Sequence, residues 1–63
     1  MKIWIVKISA SIITIEGNVN NVSGTAQVKA YSSTEAEGSA LSIAEDKWPS
    51  DWGYFNHKAE VQN

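Results

Sequence analysis

Few residues of this chain have side chains suited to catalysis. It has one histidine, His57, and no cysteine. General acid–base or nucleophilic catalysis needs a tuned acid, base or nucleophile within hydrogen-bond reach of its partner. The carboxylates of Glu45, Asp46 and Asp51 could approach the histidine only around one loop, and a single histidine is more often a hydrogen-bonded structural residue. The sequence therefore predicts no catalytic, cofactor-binding or metal-binding residue, and no cofactor.

The clearer pattern is aromatic. Four of the six aromatic residues, Trp48, Trp52, Tyr54 and Phe55, fall in one short segment beside a proline and a glycine that would hold a loop in shape. Tryptophan and tyrosine dominate binding hot spots because they bury a large area at a small entropy cost. The alternative is a core role, in which Trp48 and Phe55 close the end of a small core. Trp52 and Tyr54 would then be the exposed pair, and we predict them as partner-binding residues.

One amphipathic helix is predicted between Ser33 and Trp48, the only segment whose apolar residues recur with a helical period. Thr34 and Glu37 have the spacing of a capping box, so we expect the helix to be capped at Thr34. The proline after Trp48 predicts its end at about Lys47. The predicted buried arc contains Ala36, Ala40, Leu41, Ile43, Ala44 and Trp48.

The segment Lys2–Glu16 has β-branched residues at both alternating sets of positions, which predicts a strand covered on both faces. A strand of this length would be longer than so small a domain. We therefore expect a bulge at Ser9-Ala10-Ser11, after which the side chains exchange faces of the sheet. The residues that would then face the helix are Trp4, Val6, Ile8, Ile13 and Ile15. Ile3, Ile5 and Ile12 would lie on the uncovered face, and we predict them as a homodimer interface.

Glycines and asparagines between Glu16 and Gly24 give the strongest turn signal of the chain, because these residues tolerate positive φ. With Asn20-Asn21 at the tip of a hairpin, Ile13 would lie opposite Val28. The second strand is then predicted over Thr25–Ser32, where apolar and polar residues alternate.

A third strand is predicted over Tyr54–Gln62, and its expected inward residues are Phe55, His57, Ala59 and Val61. The order of elements is ββαβ, and a right-handed crossover is easiest if the first strand lies between the other two. We therefore expect a single α+β domain over residues 1–63. Its three-stranded antiparallel sheet has the order 2-1-3, with one helix on one face.

Composition limits the classes of function. All five basic residues are lysines and the net charge is −2, which disfavours nucleic-acid binding, since arginine dominates that recognition. The apolar run at the start, MKIWIVKIS, is too short for a signal peptide or a membrane span, so we expect a cytoplasmic protein with no membrane partner. Without cysteines or a metal cluster, oligomerisation is the remaining support for so small a domain.

We expect a non-enzymatic protein-interaction module that forms a homodimer or higher homo-oligomer. Its setting would be that of a small accessory or inhibitor protein of a phage or mobile element, acting by binding another protein. One alternative is a small-molecule or nucleotide-binding module with a pocket between subunits around the aromatic loop. A third is a nucleic-acid-binding protein, which would need the lysines gathered on one face.

Overall fold

The computed structural model describes all 63 residues. In chain order they form strand β1 (Lys2–Ile13), strand β2 (Val19–Ala30), helix α1 (Ser33–Lys47), a 3₁₀ turn (Ser50–Trp52) and strand β3 (Tyr54–Val61). The strands make one antiparallel sheet in the order β2-β1-β3. Helix α1 covers one face, and we refer to the other as the open face. The predicted ββαβ architecture is confirmed.

Strands β1 and β2 form an uninterrupted hairpin whose last pair is Ile13 opposite Val19. The expected tip at Asn20-Asn21 is therefore wrong, as is the pairing of Ile13 with Val28. The second strand begins before the asparagine pair, well ahead of the predicted start at Thr25.

The turn is formed by residues 14–18, because threonine and glycine supply its hydrogen bonds and its left-handed backbone. The N–H of Thr14 donates to the Asn18 carbonyl at 2.7 Å, and the Thr14 carbonyl accepts from the Gly17 N–H at 2.9 Å. The Thr14 hydroxyl accepts from the Asn18 N–H at 3.2 Å. Gly17 has φ +88°, a conformation that glycine adopts without a steric cost. This turn keeps every residue from Val19 onward in the strand.

A bulge is present beside the predicted position, but its extra residue belongs to β3. Ser9 pairs with Lys58 and Ser11 with Phe55, so β3 supplies one residue more than β1 between these pairs. Asn56, within the bulge, has φ +56°. The extra residue reverses the alternation along β3. Phe55 consequently faces the open side, and its predicted inward position is wrong.

Strand β1, in contrast, keeps one alternation along its whole length. Its even-numbered residues face α1 and its odd-numbered residues face the open side. Ile12 therefore lies on the helix side and Ile13 on the open side, the reverse of the predicted placement. The long strand is accommodated by an elongated molecule, which measures 44 × 19 × 14 Å.

Helix α1 is capped two residues before the predicted position. The Ser32 hydroxyl accepts from the Glu35 N–H at 3.2 Å, and Thr34 lies inside the first turn, so the cap expected at Thr34 is wrong. Both Ser32 and Thr34 are followed by a glutamate three residues later, namely Glu35 and Glu37, so the spacing fits either. The extended backbone of Ser32 is the conformation that a cap requires. The predicted end at Lys47 is confirmed.

The core between α1 and the sheet is small and rich in alanine. Ala36, Ala40 and Ala44 have no exposed surface and, with Trp48, form a stripe with a spacing of four residues. Small side chains let a helix axis lie close to the sheet. Ile43, on the predicted buried arc, is 40% exposed, so the buried arc is narrower than predicted. The ten core residues are Val6, Ile8, Ala10, Ala26, Val28, Ala30, Ala36, Ala40, Ala44 and Trp48.

Candidate interaction surface at the hairpin end

The hairpin end of the sheet extends beyond both the helix and the third strand. Strand β3 pairs with β1 only as far as Ile12. Helix α1 ends above Gly24 of β2, where the side chains of Lys47 and Trp48 contact the sheet. Residues 13–19 therefore form a short ribbon, made of the Ile13–Val19 pair and the turn that joins them, that no helix covers on either face.

This ribbon carries large aliphatic side chains that have no core to enter. Ile13 is 59% exposed, Val19 is 58% exposed, and Ile15 in the turn is fully exposed. Ile13 and Val19 are direct cross-strand partners, so their side chains lie side by side on the open face. The ribbon thus presents a small apolar surface at the extreme end of the molecule.

The β3 bulge adds an aromatic ring to the same face. Phe55 is 41% exposed and lies opposite Ser11, two residues before Ile13 in β1. Ser11 is buried although it faces the open side, because Phe55 and Asn21 flank it; its hydroxyl donates to the Asn21 side-chain oxygen at 2.7 Å. The bulge therefore moves Phe55 from the core side to the apolar end of the open face.

The 3₁₀ turn supplies the second exposed aromatic residue. Trp52 is 73% exposed, whereas Trp48 is buried in the core. Tyr54 is half-buried, packs against the core and pairs with Ile12. Gly53 ends the turn with φ +96°. Of the two predicted partner-binding residues, Trp52 is thus on the surface and Tyr54 mostly contributes to packing.

We define the hairpin-end surface by the exposed large apolar residues at this end of the molecule: Ile13, Val19 and Phe55 on the open face, Ile15 in the hairpin turn and Trp52 in the 3₁₀ turn. The segments that carry it, residues 8–28 and 48–57, contain two acidic residues, Glu16 and Asp51, and no lysine. The surface is therefore apolar with a weakly acidic surround. Only Trp52 was among the residues that the sequence predicted as a contact site.

The three predicted dimer-interface residues are not brought together. Ile3, 51% exposed, and Ile5, half-buried, lie on the open face at the end opposite the hairpin turn. Ile12 lies on the other side of the sheet. The Asn63 side chain accepts from the Ile5 N–H at 2.8 Å and donates to the Ile3 carbonyl at 3.4 Å, which holds the chain end against β1.

The middle of the open face is polar. A shallow groove there is lined by hydroxyl, amide and charged side chains, with one valine: Lys7, Ser9, Ser11, Asn21, Val22, Ser23, Asn56, Lys58 and Glu60. This groove separates Ile3 and Ile5 from the hairpin-end surface, so the open face has two small apolar ends and no continuous apolar patch.

His57 has a structural contact. Its Nε2 lies 2.6 Å from the Trp48 carbonyl oxygen, which fits a ring N–H that donates to it. The bond joins β3 to the residue that ends α1. No group of three or more histidine, cysteine, aspartate or glutamate side chains is placed to hold a metal ion.

Comparisons with protein-family models, with curated proteins and with solved structures found no match. Helix α1, the longest of the protein, has 15 residues and is neither long nor apolar enough to cross a membrane.

Proposed function

We propose that this chain is a non-enzymatic protein-interaction module that binds another protein through the hairpin-end surface and acts as a homodimer or higher homo-oligomer. The observation that carries the proposal is the collection of exposed apolar side chains at one end, Ile13, Ile15, Val19, Trp52 and Phe55. Exposed apolar clusters on small soluble domains mark contact sites, and aromatic residues supply most of the binding energy in such sites.

The shape and charge of the hairpin-end surface indicate what kind of protein would bind it. A short ribbon with aliphatic side chains fits a concave apolar site better than a flat one. Glu16 in the hairpin turn and Asp51 in the 3₁₀ turn are the only charged residues of the segments that carry this surface, residues 8–28 and 48–57. Complementary charge favours specificity and fast association. The partner is therefore a protein with an apolar cleft and a basic rim.

The proposal is tested by affinity capture with matched variants, using the native chain as bait in a lysate. Ile15→Ser combined with Trp52→Ala removes two exposed contacts, whereas Ile3→Ser removes an exposed isoleucine at the opposite end of the molecule. A protein retained by the native chain and by Ile3→Ser, but lost with the double variant, is then purified and titrated directly. Equal retention by all three baits, with native circular dichroism, would rule out the hairpin-end surface.

A second candidate, nucleic-acid binding, is favoured by one observation. Lys7, Lys29 and Lys58 all lie on the open face, which carries only one acidic strand residue, Glu60. Phosphate contacts by lysine make affinity fall steeply with salt. Fluorescence anisotropy with a single-stranded oligonucleotide at rising salt, repeated with Lys7→Gln plus Lys58→Gln, tests this function. Binding that does not depend on salt or on these lysines would exclude it.

A further inference from the structure

The outer edge of β2 carries a row of backbone groups without partners. The Thr14 N–H donates to the Asn18 carbonyl, and bonded and non-bonded pairs alternate along an antiparallel ladder. Even-numbered residues of β2 therefore bond to β1. The Ile5 carbonyl points the other way and accepts from the Gln62 N–H at 2.8 Å, which fits this alternation. The odd-numbered residues of Val19–Lys29 thus direct their N–H and C=O groups outward, and no backbone hydrogen bond outside the helix and the sheet ladder ends on them.

The two edges of the sheet differ in how they are protected. Natural proteins protect edge strands with bulges, charged residues, prolines or short length. Strand β3 has eight residues, the bulge at Asn56, and two charged residues, Lys58 and Glu60. Strand β2 has 12 residues in unbroken register, no proline, and only one charged residue, Lys29. The unprotected edge of this protein is therefore the β2 edge.

An exposed apolar side chain lies on the flank of the helix above that edge. Ile43 is 40% exposed. Lys47, one turn later on the same flank, reaches Gly24 of β2. On the opposite flank, Gly38 and Leu41 line the groove beside β3. Ile43 therefore overhangs β2, where a second molecule added to the edge would cover it.

We propose that two copies of this chain pair their β2 edges in antiparallel orientation about a two-fold axis. The product is a six-stranded sheet with both helices on one face and the two Ile43 side chains facing each other across the axis. Since Lys29 is the only charged residue of β2, no like charges meet unless the pairing is centred on that residue. The protected β3 edges leave the dimer closed, so it does not extend into a fibre.

The pairing has a consequence for partner binding. Antiparallel β2 strands point the two hairpin ends in opposite directions, so the dimer presents two hairpin-end surfaces at its far ends. A partner with two sites could then bind with increased avidity. The inference rests on only one part of the proposed function, namely that the chain forms an oligomer. Self-association is measured with the purified chain alone, so it can fail or succeed independently of partner binding.

Sedimentation equilibrium of the native chain and of Thr25→Pro tests the pairing. The Thr25 N–H points outward and its side chain is exposed, so proline removes no bond to β1 but blocks an added strand. We expect the native chain to be a dimer. For Thr25→Pro we expect a dimer dissociation constant at least about tenfold higher, with unchanged circular dichroism. A native chain that stays monomeric at high micromolar concentration, or an equally tight Thr25→Pro dimer, would overturn the proposal.

Two substitutions of matched exposure separate the dimer from the partner site. Ile43→Ser, at 40% exposure, should weaken self-association, whereas Phe55→Ser, at 41%, should leave it unchanged and instead reduce partner capture. Dimers weakened only by Phe55→Ser would place the contact at the hairpin end and contradict β2 pairing.

Single spin labels decide the geometry even if the proline variant does not fold. The chain has no cysteine, so Thr25→Cys and Ser9→Cys each provide one labelling site. Paired β2 edges bring the labels at residue 25 much closer together than those at residue 9, because two β1 strands are separated by the two β2 strands. Stronger dipolar broadening at residue 9 would indicate contact through the open face and would refute the proposal.

Discussion

Gly38 lies in the middle of α1 with open space where a side chain would be. A Cβ added there meets no atom within 4 Å, and the backbone φ is not positive. We predict that Gly38→Ala stabilises the fold by about 1 kcal/mol, the difference in helix propensity, and raises the melting temperature by roughly 4–8 °C. Gly17→Ala also meets no atom, but φ +88° strains alanine, so this control should lower the melting temperature. A lower melting temperature for Gly38→Ala would mean that the site contacts a second chain.

The helix cap distinguishes two residues that the sequence pattern treats alike. We predict that Ser32→Ala lowers the free energy of unfolding by about 1 kcal/mol, because its hydroxyl satisfies the Glu35 N–H. Thr34→Ala should change it by less than half as much, since Thr34 lies within the first turn and caps no N–H. Chemical denaturation of both variants measures the difference. A larger loss for Thr34→Ala would move the start of the helix to the position that the sequence predicted.

At the scale of elements, the β3 bulge decides which face Phe55 occupies. Asn56 has φ +56°, which asparagine and glycine tolerate and β-branched residues do not. We predict that Asn56→Gly leaves stability nearly unchanged, whereas Asn56→Val costs about 1–2 kcal/mol in chemical denaturation. A valine variant as stable as the native chain would show that the bulge is not required. Loss of the bulge would also return Phe55 to the helix side and remove it from the hairpin-end surface.

The elements themselves could be predicted from the sequence because each has its own periodic pattern. The α1 segment has the only helical period, and the doubly apolar β1 belongs at the centre. Register could not be predicted, because the turn residues from Gly17 to Gly24 fit more than one hairpin. The bulge was predicted at the right position along the sheet but in the wrong strand. An extra residue shifts the pairing of β1 with β3 whichever of the two strands contains it.

The uncertain hairpin register and the uncertain position of the bulge also explain how much of the candidate site was predicted. Trp52 was predicted because tryptophan is frequent in binding hot spots and because Trp48 and Phe55 were the residues expected to close the core. Ile13, Ile15 and Val19 were missed because isoleucine and valine in a strand are typical of a core. Their exposure depends on the position of the turn. The turn residues Gly17-Asn18 were a signal for this exposure, because the residues at a hairpin tip lie beyond a helix that covers the middle of the sheet.

At the scale of the whole molecule, stability is unevenly distributed. The central part of β1 is bonded to strands on both sides and covered by α1, and Val6, Ile8 and Ala10 are at most 2% exposed. Six of the ten core residues are alanines, which bury little area, so the core that holds this centre is thin. The ribbon of residues 13–19 lies outside that core and is stabilised only by its own ladder and turn.

We therefore predict a gradient of hydrogen exchange along the long axis. The amides of residues 6–10 in β1 should exchange most slowly, near the rate of global unfolding, and those of residues 13–19 much faster, through local opening of the ribbon. Two-stranded hairpins without a covering layer are marginally stable, which gives the physical reason. Exchange followed by NMR resolves both segments in one experiment. Equal protection of both segments in the purified chain would mean that the hairpin end is covered, as it would be by a second copy. If it is uncovered, binding of the proposed protein partner should slow exchange at residues 13–19 while the centre of β1 changes little.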